Sequence, residues 1–501
     1  MRLLPKLLEH SGWALTALMA LSIGMWPSAR ADEPPPLPRE PAPQPQPAPE
    51  PPPAPTPAPA PAAAPQVSLP FERYQLDNGL EVILHVDKAA PLIAVNVWYH
   101  VGSGDETPGK SGFAHLFEHM MFQGTKHTGN DVHFPILQGL GASSINGTTN
   151  YDRTNYFETV PSHHIETALW LESDRMGFLL EALTEQSFRN QVDVVRNERR
   201  QRLDNAAYGK ARFEVGKSLY PEGHPYRHLV IGLHADLENA NLEDVRGFFK
   251  TWYVPGNATL AIGGDFDPAA MKALVDKWFG DLPKGPVPAR TKVAAPELAA
   301  TQTIEVPDTF AKLEQVQRTW IGPPALTDEA FPLEVALELL GADGWGRLSK
   351  RLTIAEPLCT SVSVYLDGRG HSGEIVVIAQ LKPAKDQAKA RARVLEILDE
   401  EIQKLATEPM SERELARVLV NAESDFVWSL EDLSRRLDLM QYFNHFTKDP
   451  GYASTYLERL KKVTAQDAMA AVQRWLTRPH SQVITVPAPA AKPGNDTEAP
   501  K

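Results

Sequence analysis

The chain has 501 residues, 63 acidic against 50 basic side chains for a formal net charge of -13, and a single cysteine, Cys359. That charge balance excludes an electrostatic footprint for nucleic acid or anionic lipid, and one thiol excludes an intramolecular disulfide. The length exceeds what one small core requires, so two or more packed units are expected.

Arg2 and Lys6 open the chain with positive charge, an apolar run follows from Trp13 to Trp26, and Ala29-Arg30-Ala31 places small residues where a signal peptidase reads. Residues 1–31 therefore read as a secretory signal peptide. The apolar run has 14 residues, and a membrane span needs roughly 20. Residues 32–66 alternate Pro and Ala with almost nothing that could pack, which is an extended, polyproline-like linker. A signal peptide, a spacer and no disulfide point to the bacterial periplasm, with anchorage in the inner membrane as the alternative.

From 67 to 285, short period-2 runs alternate with longer helical runs, the pattern of an α+β unit. Leu80 to Leu84 follows the turn Asp77-Asn78-Gly79, and Ile93 to Tyr99 is a second strand of the same sheet. Ser111 is placed to cap a helix through His115 and His119 to about Met121, Asn150 to Thr159 reads as a strand, and helices follow at Ser162–Glu181 and Asn190–Leu203. Residues 286–300 are an interdomain linker inside a Pro, Lys and Gly cluster.

The second half, 301–486, repeats the theme. Asp244, Trp252, Pro255 and the strand Ala258 to Ile262 have counterparts in Asp467, Trp475, Pro479 and the strand Gln482 to Val486, with the Asp and Trp eight residues apart in both. This favours a duplicated domain. Residues 487–501 are expected to be a disordered tail.

The chemistry lies in His115-Leu116-Phe117-Glu118-His119. Residues four apart share a helix face, so both imidazoles can reach one metal ion while Glu118 projects beside them. Zinc in a hydrolase takes three protein ligands and leaves a position for water, whose proton a neighbouring carboxylate can accept. Glu118 is the candidate base. The best candidate third ligand is Glu198, on a separate helix 79 residues after His119, with Glu214 and Glu222 the next places to look.

This inverted H-x-x-E-H order resembles the inverzincin family that includes pitrilysin, insulin-degrading enzyme and the mitochondrial processing peptidase. Gly102 to Glu106 leading to Gly112-Phe113-Ala114-His115, the run Asn146 to Thr154, and His224-Pro225-Tyr226 with Ile231-Gly232 fall where that family has them. The resemblance implies an α+β architecture of two homologous α/β-sandwich domains, each an antiparallel-rich sheet covered by helices, forming a clam-like chamber. It implies one Zn2+ held by His115, His119 and Glu198, Glu118 as base, and cleavage of peptides or unfolded protein segments. Asn146, Gly147 and Thr148 would lie by the substrate backbone, and Arg351 would hold the scissile carbonyl.

Two positions depart from the family pattern. Gln191 stands one heptad before Glu198, where a second Glu is frequent, and Leu358-Cys359-Thr360-Ser361 lacks the Tyr that accompanies the Arg. Tyr365 is a local substitute. Otherwise the contact comes from a second chain, in a homodimer or in a heterodimer with a homologous zinc-free partner.

Overall fold

The computed structural model describes residues 67–286, 288–290 and 292–489. The expected signal peptide, the expected Pro/Ala linker and the segment from 490 onward lie outside these residues.

Eleven strands among the described residues form two sheets. In the first half they are β1 (Glu72–Gln75), β2 (Glu81–Val86), β3 (Leu92–Tyr99), β4 (Ser143–Thr149), β5 (Thr154–Pro161) and β6 (Ala258–Gly264), arranged β1-β2-β6-β3-β5-β4. In the second half β7 (Gln302–Asp308), β8 (Gln315–Gly322), β9 (Cys359–Asp367), β10 (Gly373–Leu381) and β11 (Ser481–Pro487) are arranged β7-β11-β8-β10-β9. Once β1 is set aside the two orders are the same in chain sequence and direction. β6 lies parallel to β2 and antiparallel to β3, as β11 lies parallel to β7 and antiparallel to β8.

The helices repeat as well. The first half carries α1 (Phe113–Met120), α2 (Ile165–Ala182), α3 (Glu185–Arg199), α4 (Gly209–Leu219) and α5 (Leu242–Trp252). Their counterparts in chain order are α6 (Ala330–Gly341), α7 (Gln387–Thr407), α8 (Glu412–Ser429), α9 (Leu433–Thr447) and α10 (Ala465–Trp475). The Asp–Trp echo in the sequence is thus α5–β6 against α10–β11. Both helices start on a capped turn, Asn241 accepting from the Asp244 amide and Thr464 from the Asp467 amide.

Each half lends one helix to the other. Ala211, Val215 and Leu219 of α4 pack with Val306, Ile321 and Val483 of the second sheet. In return, Gln441 of α9 donates to the carbonyls of Asn96 on β3 and Thr259 on β6 at 2.9 and 2.8 Å. This explains the unbroken burial of β3 from Ile93 to Tyr99. Ile93, Val95, Val97 and Tyr99 face the first half's own helices, while Ala94 and Trp98 join the core of the second half.

Several sequence expectations shift. The strand expected at 150–159 is β5, starting at Thr154 after a turn, and it pairs with an unexpected edge strand, β4, while lying inside the sheet itself. The helix expected from Asn190 begins at Glu185, because Thr184 accepts from the Ser187 amide in a capping box, and it ends at Arg199 in a π-turn over Arg200–Asp204. Residues 487 and 488, expected in the tail, are ordered by contacts of their own, Pro487 closing β11 and the Ala488 amide bonding to the Asp308 carbonyl.

Candidate metal centre

The inverted motif sits on α1, whose start is held by backbone and carboxylate rather than by Ser111. Gly112 adopts φ 90°, and a Cβ there would lie 2.7 Å from the Ile231 carbonyl, so glycine is required twice over. The free amides of the first turn are taken by Glu106, which accepts from Gly112 and Ala114 at 2.9 and 2.7 Å. Ser111 Oγ instead donates to Asp236. Phe113, Leu116, Phe117 and Met120 fill the core, which turns His115, Glu118 and His119 to the other side of the helix.

On that side the imidazole centroids of His115 and His119 are 4.9 Å apart. Ligand atoms of His115, Glu118 and His119 all fall within 4.8 Å of one another. α3 brings Glu198 against them from its last turn, anchored by buried Phe188, Val192 and Val195. Glu198 Oε2 is 3.2 Å from His119 Nε2 and 3.7 Å from His115 Nε2. Its Oε1 is 2.7 Å from Arg202 Nη1.

These groups converge without satisfying each other. Buried His119 Nε2 and Glu198 Oε2 face one another without hydrogen-bond geometry. Orphaned buried polar atoms are costly, and two imidazole nitrogens with one carboxylate oxygen are a donor set that zinc accepts. Burial pushes the His115 imidazole down to about 3, aided by the charges of His119 and Arg202 and opposed by Glu198, so at neutral pH one ring nitrogen carries a free lone pair. Burial alone would raise the Glu198 carboxyl, but its contact with His119 and the charges of His115, His119 and Arg202 bring it down to about 2. The residues present therefore fit the metal.

Glu118 lies beside the same imidazoles but is engaged from the other side. Its Oε2 accepts from Thr149 Oγ1 at 2.6 Å, and burial raises its carboxyl against the opposing His119 charge and the Thr149 bond. Gly147 packs on it so closely that a Cβ would come 3.1 Å from Glu118 Cγ.

A second trio, His133, Glu158 and Glu172, also brings ligand atoms within 4.8 Å. Arg175 occupies both oxygens of Glu172, through Nε at 2.9 Å and through Nη2. That carboxylate already has its cation, so the trio is the poorer metal site.

The remaining expected residues divide. Asn146 pairs with Phe157 on the edge strand β4, and its Oδ1 accepts from the Gly147 amide. Thr148 points away from the face on which Gly147 and Thr149 meet Glu118, as alternation along a strand requires, with Oγ1 bonded to Asn155 at 2.5 Å and to Arg153. It is not at the cluster. Arg351 is bound by Glu401 at 2.9 Å, by Glu400, and by Glu356 at 3.5 Å, so its guanidinium is committed to carboxylates of its own half. Tyr365 lies on β9 within electrostatic reach of Arg212 on α4, and burial raises its hydroxyl. Gln191 is buried on α3.

Sequence reasoning missed Glu106, Thr149 and Arg202. Arg202 had a signal, since it stands four residues after Glu198.

Comparison with known proteins agrees with this architecture. Residues 81–214 match the Insulinase (Peptidase family M16) domain, and residues 239–420 match the Peptidase M16 inactive domain. Zinc protease PqqE of Helicobacter pylori is 29% identical over 367 residues, covering 72% of this chain and 81% of that protein. An uncharacterized zinc protease of Mycobacterium bovis, Mb2805c, is 24% identical over 427 residues, 85% of this chain and 95% of that one. The crystal structure of a protease from Helicobacter pylori superposes with a TM-score of 0.78 at 25% identity, over 84% of this chain and 100% of that chain. The periplasmic protease PqqL from Escherichia coli shares the fold at 18% identity with a TM-score of 0.70, over 85% of this chain but 48% of its own. With both domain types matched in order and the same two-domain fold in its structural neighbours, the chain belongs to peptidase family M16, the inverzincins.

Proposed function

We propose that the protein is a zinc metalloendopeptidase that hydrolyses peptides or unfolded protein segments in the periplasm. The observation that carries this reading is the convergence of His115 Nε2, His119 Nε2 and Glu198 Oε2 from two helices, the last two buried without a hydrogen-bond partner, with Glu118 beside them held by Thr149. A purely structural zinc site has no use for that fourth group. The export signal expected within residues 1–31 supports the compartment, and among the described residues no helix is long and apolar enough to cross a membrane.

Zinc, when bound, would polarise the scissile carbonyl and make a water easier to deprotonate. Glu118 takes the proton from that water and returns it to the leaving nitrogen. Its buried position favours a carboxyl that can hold the proton between the two steps. The edge strand β4, one residue layer from Glu118 through Gly147, offers its free main chain to an extended substrate by strand addition. Asn146 and Gly147 are then the residues nearest the substrate backbone.

The test is zinc content and cleavage of a panel of unfolded peptides by the purified chain and by Glu118→Gln. The variant should keep zinc and lose roughly a hundred- to ten-thousand-fold in rate. Metal lost from the variant, or hydrolysis retained by it, would contradict the role given to Glu118.

A second reading, in which the chain works only beside another one, is favoured by two observations. The chain spans 48% of the PqqL structure it resembles, so an enclosed chamber would need a second such body. α8 also leaves Val420, Val427 and Trp428 exposed at 65%, 43% and 54%, on one helical stripe. Mass in solution measured together with turnover decides: fast hydrolysis by a monomer removes the two-chain reading.

A further inference from the structure

Glu198 has two oxygens, and only Oε2 faces the imidazoles. Oε1 is taken by Arg202 Nη1 at 2.7 Å. The geometry follows from the end of α3. At Arg200 the helix widens into a π-turn, and Arg202, four residues on, remains on the side of Glu198. Other charged groups of this stretch are engaged elsewhere. Asp204 meets His234 Nε2 at 2.7 Å, Arg199 lies over the Phe213 ring at 4.5 Å, and Arg200 donates to Asn197.

We propose that Arg202 is a positioning residue that holds Glu198 to one-oxygen ligation and so keeps a coordination position open for water. This rests on the zinc reading given above. A carboxylate with no partner on its second oxygen can turn about its terminal bond until both oxygens face a metal, and two-oxygen binding would fill the place a hydrolase needs open. The ion pair on Oε1 opposes that swing, since rotating the carboxylate separates the two charges where little solvent screens them. His115 and His119 cannot enforce the choice, because both face the same oxygen.

The readout is the visible absorption of the full-length protein loaded with Co2+ in place of zinc, since four-coordinate cobalt absorbs strongly and five- or six-coordinate cobalt weakly. Wild type should give the intense spectrum. Arg202→Met should bind the same amount of cobalt and lose most of the intensity, and Arg202→Lys, which keeps a cationic donor, should retain much of it. Arg202→Ala, with and without added guanidinium ion, repeats the measurement should the methionine variant fold poorly; guanidinium should restore the spectrum. An intense spectrum in Arg202→Met or in unrescued Arg202→Ala overturns the proposal, and a lower unfolding temperature with that spectrum unchanged marks Arg202 as merely structural. Failure of the zinc reading looks different: the wild type then gives no intense band, or the band survives His115→Ala.

Discussion

At the scale of single residues, the centre depends on which oxygen each carboxylate spends. Glu198 gives one to the imidazoles and one to Arg202, and Glu118 gives one to Thr149. The Thr149 hydroxyl steadies the charged form of Glu118 where burial disfavours it. Thr149→Val keeps the shape and removes the donor, so the Glu118 carboxyl should rise further. A hydrogen bond to a charged group contributes about 1.5–3 kcal/mol, which corresponds to roughly one to two pH units. The acid limb of kcat/KM should therefore move to higher pH by about that amount, with zinc content unchanged. An acid limb that stays in place would show that another group sets it.

At the scale of elements, the start of α1 carries the argument. Gly112 at φ 90° is followed by amides that Glu106 must satisfy, and the Ile231 carbonyl sits where a side chain would go. Gly112→Ala should cost about 1–2 kcal/mol for the left-handed backbone alone and more for the contact. Because α1 carries both imidazoles, thermal stability and zinc affinity should fall together; a variant with both intact would mean that α1 tolerates a shifted start. This element also shows what was legible beforehand. Period and spacing were enough for β2, β3, the His115–His119 face and the α5–β6 echo in α10–β11, since each is a local pattern. Ser111 misled because a serine before a helix is the commonest cap signal, whereas Glu106 acts from six residues away through a loop. β4 was unread because its Ser, Asn, Gly and Thr residues lack the apolar alternation of a central strand, as an edge strand can. Arg351 and Thr148 were assigned by resemblance; Glu400 and Glu401, which hold Arg351, lie on another helix, and Thr148 is taken by Asn155 across a hairpin whose first strand was unread.

At the scale of the whole molecule, the exchange of α4 and α9 ties the halves into one cooperative body, and the His100–His445 contact between them makes that body sensitive to acid. Nδ1 of each ring lies 2.9 Å from the other, and His100 Nε2 is 2.9 Å from Thr259 Oγ1. One Nδ1 must be bare to accept from its neighbour, so at least that ring is neutral, and burial favours the neutral form of both. The charged groups acting on the pair are cations: Lys448 and Arg290 on both rings, and Arg153 on His445. Burial first, then these charges, take His100 down to about 3 and His445 well below its ordinary value. An unfolded histidine titrates near 6.5. Between about 3 and 6.5 the unfolded chain therefore binds protons that the folded chain refuses, so this contribution is complete above 6.5 and is lost as pH falls. Buried carboxyls act in the opposite sense, because Glu334 is raised to about 7 and Asp105 to about 6, and the wild-type curve alone mixes the two effects. The comparison with His100→Asn/His445→Asn isolates the pair. From pH 7 to 5.5 the wild type should lose about 2 kcal/mol more than the variant, measured by denaturant unfolding at each pH. The loss should appear in one transition followed by probes in both halves, because α9 carries His445 and lies across the first sheet. Stability curves that run parallel in the two proteins would show that neither histidine is held neutral by the interface.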